Sequence, residues 1–272
     1  MKIERTLSIM LFLCALAISV KAQSPTQNYV LSKDVLDVDG THAITTVTYY
    51  DGLGYPVETA TNGLGGTGKY AYTLLEHDAL GREKQSWLPG TQKDGCSFVV
   101  PSELSSSLIT FHKDRNPYSV NSYDALDRQV STLGAGESWH TAKKSIEQRY
   151  GSNEANCIKR YQVSGSGSLV ENGYYAVNSL SILEVTDEDG KTKQTFSDLF
   201  GNKVLERRDV DNDTYYVYDN IGHLRYVLSP SYQECSDLQK FGYEYRYDKY
   251  GRCVWKRLPG CEYQQMWYDA AD

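Results

Sequence analysis

The sequence has very little methionine. Its 272 residues include only 3 Met, against 23 Tyr and 22 Gly. Few stretches show the spacing of apolar residues that marks an amphipathic helix. Tyr favours a pleated, half-buried surface and Gly supplies turns, so the composition predicts an all-β fold.

Clusters of basic residues are also lacking. The chain has 28 Lys and Arg against 35 Asp and Glu, a formal net charge of −7 and a pI near 5.3. Proteins that bind nucleic acids concentrate positive charge to neutralise phosphates. We therefore expect no nucleic-acid partner.

Only the N-terminus carries a long apolar run. Lys2 and Arg5 precede the run Leu7–Val20, which is short for a bilayer span of about 20 residues. Small residues then suit a signal peptidase, so we predict a signal peptide over 1–22 with cleavage before Gln23. The mature chain would have no transmembrane segment and would be exported to the exterior or the outer cell surface, with the periplasm as an alternative. An N-terminal membrane anchor is the competing interpretation.

Metal-binding and disulfide patterns are missing as well. No C-x-x-C pair exists, so no zinc site is predicted. The mature chain would hold an odd number of cysteines, which leaves at least one thiol without an internal partner. We expect these residues to be small buried hydrophobes or to form one incidental bridge. They are Cys96, Cys157, Cys235, Cys253 and Cys261.

The sequence lacks the motifs of common hydrolases. There is no G-x-S-x-G and no H-E-x-x-H, and the five histidines are scattered. Most paired carboxylates fall in predicted turns. We therefore expect no catalytic residue, no cofactor and no metal site, and we do not expect an enzyme.

Two motifs come close to known ligand loops. The segment Gly63–Lys69 resembles a phosphate-binding loop, but Tyr70 replaces the required Ser or Thr and strand-like sequence follows. The segment Asp209–Asp213 has the first three ligand positions of a calcium loop, but Thr214 replaces the required Gly. Both are predicted to be hairpin loops, with weak surface calcium binding as the alternative for the second.

What the sequence does contain is a repeated turn. Asp-x-x-Gly occurs at Asp37–Gly40, Asp51–Gly54, Asp78–Gly81, Asp187–Gly190, Asp198–Gly201, Asp219–Gly222 and Asp248–Gly251, with near-matches at Asp124–Asp127 and Asp269–Asp272. Asp at the first position can bond the backbone two residues on, and Gly can take the positive φ that closes a hairpin. Asp tolerates positive φ better than most residues, which accounts for Asp127.

The predicted sites are therefore structural turn residues. We expect positive φ at Gly54, Gly81, Gly201, Gly222, Gly251 and Asp127. Tyr usually precedes the first Asp, and Arg can follow the turn. The full set is Asp51, Gly54, Asp78, Gly81, Arg82, Asp124, Asp127, Arg128, Asp198, Gly201, Asp219, Gly222, Asp248, Gly251 and Arg252.

These Tyr-Asp-x-x-Gly-Arg units resemble the YD repeats of Rhs proteins, Tc-toxin shells and teneurins. The opening resembles the N-terminal domain of unknown function on Bacteroidetes-type Rhs-like proteins. The residues that carry the resemblance are Asn28–Leu31, Ile44–Gly54, Trp139–His140, Thr186–Gly190 and Asp213–Asp219. The resemblance implies a β-sheet spiral that forms a hollow shell around a variable C-terminal effector or toxin.

The fold expected from residues and resemblance together is an array of antiparallel β-hairpins that form a curved sheet or partial shell. We predict one or two short helical insertions, over Pro101–His112 and Ser231–Lys240. Ser164–Ser168 is predicted to be a flexible loop. The domains would be a signal peptide over 1–22, an Rhs-associated domain over 23–160, and YD repeats over 161–272. Regular repeats are in doubt over 129–186.

The expected function is a non-enzymatic scaffold, part of a secreted or surface shell that encloses and delivers a C-terminal effector. The alternative is an adhesin that binds surface glycans through a Tyr-rich sheet face. The sequence stops on the turn residue Asp272, so Gln264–Tyr268 would be a strand without its following partner. We therefore expect a fragment whose main partner is the remainder of its own chain.

Overall fold

The computed structural model describes residues 26–39, 42–62, 69–91, 94–209 and 212–269. The predicted signal peptide, the glycine-rich segment 63–68, and residues 210, 211 and 270–272 lie outside this part. The described chain is almost entirely antiparallel β-structure, as predicted. Its contacts divide into two compact units, residues 1–121 with 133–143, and residues 122–132 with 144–272. Compact units are defined by contacts alone, so the domain boundary at residue 160 stays a prediction.

The first unit contains a meandering sheet and one long helix. Its strands are β1 (Asn28–Val35), β2 (Ala43–Tyr50), β3 (Pro56–Thr61), β4 (Ala71–His77), β5 (Glu83–Trp87), β6 (Gly90–Thr91) and β7 (Tyr118–Tyr123), and its helices are α1 (Pro101–His112) and α2 (Glu137–Ala142). The strands β1 to β5 pair in sequence order, β6 returns to β4, and β7 pairs with β5.

The core of the first unit forms where α1 covers the sheet. Leu104 and Leu108 on α1 are fully buried in one cluster with sheet residues such as Val47 and Leu74. A Cβ on Gly90 would lie only 2.5 Å from Leu108 Cδ2. Gly90 therefore allows the helix to approach the sheet.

The second unit is a longer antiparallel meander. Its strands are β8 (Gln129–Leu133), β9 (Ser145–Ser152), β10 (Lys159–Val163), β11 (Leu169–Tyr174), β12 (Ser181–Thr186), β13 (Thr192–Ser197), β14 (Lys203–Arg208), β15 (Asp213–Tyr218), β16 (Leu224–Leu228), β17 (Gly242–Tyr247), β18 (Cys253–Arg257) and β19 (Tyr263–Gln265). Helices α3 (Pro230–Cys235) and α4 (Leu238–Phe241) lie between β16 and β17.

Strand pairing in the second unit is simple. β9 pairs with β12, and the strands β12 to β19 then pair in sequence order. β10 and β11 form a separate hairpin. Tyr215 and Val217 alternate with less buried neighbours on β15, and both are buried with Leu205 and Leu228. This two-residue alternation is the pattern of a sheet with one buried face.

Helix predictions were right for α1 and incomplete elsewhere. The predicted α1 matches its observed bounds, with Pro101 in the first turn. The single helix predicted over Ser231–Lys240 is two helices, because Ser236 takes a left-handed φ of 53° and Asp237 caps α4 by accepting from Lys240 N–H. The short helix α2 was not predicted.

The structure adds detail to two parts of the strand prediction. Five strands, β8 to β12, lie within residues 129–186, where the sequence shows no clear repeat. The strand expected over Gln264–Tyr268 is β19, which begins at Tyr263 and ends at Gln265. The Met266 N–H still donates to the Val254 carbonyl at 2.9 Å, so the segment stays beside β18.

Candidate functional site

The repeated turn has one hydrogen-bond pattern, which Asp219–Gly222 illustrates. The Gly222 N–H donates to the Asp219 carbonyl at 3.0 Å, and the Asp219 N–H donates to the His223 carbonyl at 3.0 Å. The Asp219 carboxylate accepts from the N–H groups of Ile221 and His223, both at 3.0 Å to Oδ1. One side chain therefore satisfies two backbone donors that a tight turn would otherwise leave to water.

We call the turns with this pattern the turn array. Its members begin at Asp51, Asp78, Asp124, Asp187, Asp198, Asp219 and Asp248, and in each the first Asp accepts from the N–H groups two and four residues on. The predicted positive φ is confirmed at Gly54 (88°), Gly81 (79°), Gly201 (82°), Gly222 (92°), Gly251 (80°) and Asp127 (60°).

The remaining two predicted turns are only partly described. Gly40 lies outside the described residues, and Asp37 accepts from the backbone and ring nitrogens of His42. The turn at Asp269–Asp272 also extends beyond the described part of the chain.

Where Arg follows the turn, its side chain makes a further hydrogen bond to the first Asp of that turn. Nε of Arg82, Arg128 and Arg252 donates to the other carboxylate oxygen of Asp78, Asp124 and Asp248, at 2.7, 2.8 and 2.9 Å. The Arg82 side chain holds the pKa of Asp78 below its usual value, helped by backbone N–H groups. These Asp residues are therefore fixed as charged acceptors within their own turns.

Tyrosine hydroxyls connect four of the turns to a following segment of the chain. The hydroxyls of Tyr218, Tyr247 and Tyr268 donate to the carbonyls of Lys203, Leu224 and Cys253, at 3.1, 2.9 and 2.8 Å. In each case the acceptor lies two residues after the Gly of the preceding turn. Tyr150 makes the same contact with the Gln129 carbonyl, two residues after Asp127, at 2.9 Å. We call these four contacts the tyrosine ladder.

Ring contacts run beside the ladder. Arg128 and Arg252 lie over the rings of Tyr150 and Tyr268, at 4.4 and 4.7 Å from the centroids. His223 stacks on Tyr247 at 4.8 Å, and Tyr55 stacks on His77 at 5.4 Å. At four of the seven turns, the residue after the turn therefore packs on a ring of a following segment. Sequence reasoning placed Tyr at strand ends but missed this role, although its position directly before Asp was the signal.

The predicted loop Ser164–Ser168 contains a turn with part of the same hydrogen-bond pattern. The Gly167 N–H donates to the Ser164 carbonyl at 2.8 Å, and Gly167 has a φ of 83°. The Ser164 hydroxyl takes the place of the carboxylate by accepting from the Ser168 N–H at 3.1 Å. Ser therefore replaces Asp in the pattern, as short polar side chains can.

The two motifs with near-matches to ligand loops are described only in part, since residues 63–68 and 210–211 lie outside the described residues. Asp213 is held by Arg207 through two bonds of 2.6 and 2.7 Å, so its carboxylate serves an ion pair. Asp209 has a left-handed φ of 58°. No group of three or more His, Cys, Asp or Glu side chains suited to a metal ion occurs within the described ranges.

The cysteines differ from the expectation of buried hydrophobes. Only Cys96 is buried, Cys253 is intermediate, and Cys157, Cys235 and Cys261 are exposed. All five are free thiols in this structure. The three exposed residues lie in the loop before β10, in α3 and in the loop before β19.

One buried polar cluster was not anticipated. Glu58 on β3 is fully buried, and its carboxylate accepts from the Val99 N–H at 3.2 Å. Tyr49 and Tyr72 donate to the backbone of the same segment, at the carbonyls of Cys96 (2.7 Å), Gly95 and Ser97 (both 2.9 Å). Burial raises the pKa of Glu58 to about 7, although the Val99 N–H opposes this. The alternation of β3 could have indicated that Glu58 faces inward.

Comparison with known proteins gives one family match. Residues 19–152 match the model of DUF6443, a domain of unknown function. This match covers just under half of the chain. No curated protein sequence matches it.

Solved structures of Tc toxins show a weak likeness to this chain. A Tc holotoxin pore of Photorhabdus luminescens is 14% identical with a TM-score of 0.49, and the match covers 84% of this chain and 11% of that one. A TcdB2–TccC3 crystal structure is 15% identical with a TM-score of 0.48, covering 85% of this chain and 11% of that one. The chain thus spans about a tenth of their length. No helix in the described residues has the length and apolar character of a membrane span.

Proposed function

We propose that the chain is a non-enzymatic scaffold, part of an exported YD-repeat shell of the Bacteroidetes-type Rhs-like class. In a longer protein this shell would enclose and deliver a C-terminal effector. The chain's own contribution would be to supply consecutive hairpins of the shell wall.

The observation that carries this proposal is the continuity of the turn array. Each turn of the array is closed by its own Asp side chain, and the tyrosine ladder attaches four of these turns to the segments that follow. A wall of this kind can lengthen by adding similar units, because the ladder repeats the same contact between one unit and the next.

The glycan-binding alternative has less support. It needs tyrosine rings on an open sheet face, where they could stack on sugars. Four tyrosines, Tyr49, Tyr72, Tyr215 and Tyr226, are instead buried in the two cores, and two of the exposed ones, Tyr150 and Tyr268, belong to the ladder. Those rings serve cross-strand packing.

Protease protection of the full-length gene product tests the enclosure. We expect the C-terminal segment to survive a protease dose that destroys the same segment expressed alone. A variant with Tyr218→Ala and Tyr247→Ala should lose the protection, because two rungs of the ladder are removed. Tyr250→Ala is the matched control, since Tyr250 lies at an exposed turn tip. Equal digestion of enclosed and isolated segments would refute the proposal.

Export is tested separately by the mass of the mature protein. We expect protein recovered outside the cytoplasm to begin at Gln23. Intact-mass measurement decides this, and membrane-bound protein that retains Met1 would support the anchor instead.

A further inference from the structure

The two insertions that interrupt the second unit meet over one place in its sheet. The β10–β11 hairpin and the helices α3 and α4 are far apart in the sequence. The Tyr226 hydroxyl on β16 donates to the Gly167 carbonyl at the hairpin tip at 2.6 Å. The Tyr161 hydroxyl on β10 donates to Gln233 Oε1 on α3 at 2.8 Å. The insertions are therefore held in fixed positions above β16 and β17.

An open cavity of about 520 Å³ lies between them. Its lining comes from the hairpin tip, the two strands and the two helices, and includes Ser166, Ser168, Arg225, Tyr232, Glu244 and Arg246. Pockets that take small molecules in proteins usually hold between about 300 and 1,000 Å³. The cavity is large enough for a single sugar unit.

The lining has a surplus of positive charge. Its charged residues are two arginines, Arg225 and Arg246, against one carboxylate, Glu244. Glu244 is shared between Arg246, whose Nη2 lies 3.1 Å from Oε1, and Arg257, whose Nη2 lies 3.2 Å from Oε2, so these three groups together keep one net positive charge. Arg225 donates from Nε to the Tyr245 carbonyl at 2.9 Å, and its Nη1 lies 3.7 Å from Asp219 Oδ2. This surplus occurs in a chain whose net charge is −7.

The polar groups around these arginines are hydroxyls. The Ser166 hydroxyl lies between those of Ser164 and Ser168, at 2.9 and 3.2 Å. Apolar contacts come from Leu169, Leu238 and the ring of Tyr232. Guanidinium groups favour carboxylates, serine hydroxyls can donate to and accept from ligand hydroxyls, and tyrosine rings pack against sugar rings.

We propose that this cavity binds a sugar acid. Its carboxylate would lie on Arg225 and Arg246, and its hydroxyls would lie against Ser166 and Ser168. The site is independent of the scaffold role, since none of the proposed ligand contacts is a hydrogen bond that closes a turn or belongs to the tyrosine ladder.

Titration of the chain with glucuronate, followed by ligand-observed NMR, tests the site. We expect saturable binding in the millimolar range, no binding of glucose, and weaker binding of acetate. Arg246→Gln should weaken glucuronate binding by about tenfold, because one charge-assisted contact is lost. Arg149→Gln is the matched control, since Arg149 is an exposed arginine paired with Glu184 on another strand of the unit.

Ser166→Ala separates recognition of a sugar from recognition of a bare carboxylate. It should weaken glucuronate binding and leave acetate binding unchanged, and its circular dichroism should match that of the unmodified chain. Three results would each overturn the proposal: no saturable glucuronate binding, inorganic phosphate binding as tightly as glucuronate, or Arg246→Gln and Arg149→Gln weakening binding equally.

Discussion

At the scale of single residues, the aspartates of the turn array accept hydrogen bonds from backbone N–H groups that a tight turn leaves without partners. A four-residue turn leaves N–H groups without partners, and unsatisfied donors destabilise a compact structure. The Asp248 carboxylate accepts from the N–H groups of Tyr250 and Arg252 and from the Arg252 side chain. Because these acceptors come from the turn itself, each hairpin closes without help from the rest of the fold.

Backbone strain at the fourth turn position can be tested at Gly222. Its φ is 92°, and a Cβ there would meet no heavy atom within 4 Å. Gly222→Val should therefore destabilise the hairpin through the backbone alone, by about 1 to 3 kcal/mol. Gly222→Asp should destabilise it less, because Asp127 already takes a φ of 60° in an equivalent turn. Hydrogen exchange of β15 and β16 amides measures both, and equal losses would contradict the explanation.

The buried carboxylate of Glu58 makes stability depend on pH. Its pKa is raised from 4.5 to about 7, so the folded state holds a proton that the unfolded state releases. The stabilisation by this proton is fully present below pH 4.5 and is lost as pH rises through 7.

Glu58→Gln should remove this pH dependence. At pH 8 the variant is expected to be more stable than the unmodified chain by up to roughly 3 kcal/mol, and near pH 4.5 the two should be similar. Urea unfolding between pH 4.5 and 8 measures the difference. Glu103→Gln, at an exposed position of α1, serves as control. A constant difference across this range would contradict the prediction.

At the scale of elements, the tyrosine ladder explains why neighbouring hairpins stay in register. Bulges shift the register beside several turns, for example between Val217 and Tyr218 and between Arg246 and Tyr247. Each hydroxyl bond then fixes the shifted strand end to the preceding turn. The ladder therefore stabilises the strand ends next to the turns, where backbone pairing is irregular.

Removing one rung tests this. Tyr247→Phe keeps the ring on His223 but loses the hydroxyl bond to the Leu224 carbonyl. We expect a loss of about 1 kcal/mol in unfolding free energy, the usual value for one hydrogen bond. Tyr250→Phe removes a hydroxyl at an exposed turn tip and should change nothing measurable. Thermal unfolding compares the two, and equal melting temperatures would count against the ladder.

The same elements show what could be predicted from the sequence. Turns closed by Asp and Gly were predictable because their requirements are local, and strands β15 and β17 followed from alternation. The turn at Ser164 was missed because Ser replaces Asp. The break between α3 and α4 depends on the left-handed Ser236, which composition does not reveal. The cavity between the insertions needs contacts over more than 50 residues of sequence, such as Tyr226 with Gly167, and these have no local signal.

At the scale of the molecule, three turns at one end of the strands in the second unit have apolar tips, unlike the turn after β12 at the other end. The turns after β13, β15 and β17 lie at the same end of the strands, because successive antiparallel strands alternate in direction. Their tips carry exposed apolar side chains, with Phe200 91%, Ile221 81% and Tyr250 70% accessible. The turn after β12, at the opposite end of the strands, carries Glu188 and Asp189 instead. Neighbouring apolar tips are two strands apart, about 10 Å.

An apolar row of this kind should bind a hydrophobic dye. Exposed side chains that form a continuous row present a larger apolar patch than scattered ones, and such patches mark contact surfaces. We therefore expect the folded chain to enhance the fluorescence of anilinonaphthalene sulfonate, and Phe200→Ser with Ile221→Ser to reduce the enhancement by at least about half. Each substitution lies at a turn tip, so the hydrogen bonds of the Asp and Gly remain. Glu188→Ser with Asp189→Ser, in the turn after β12, should leave the fluorescence unchanged or raise it, because negative charge repels the anionic dye. Equal fluorescence from the unmodified chain and from the variant with Phe200→Ser and Ile221→Ser would show that the dye binds elsewhere.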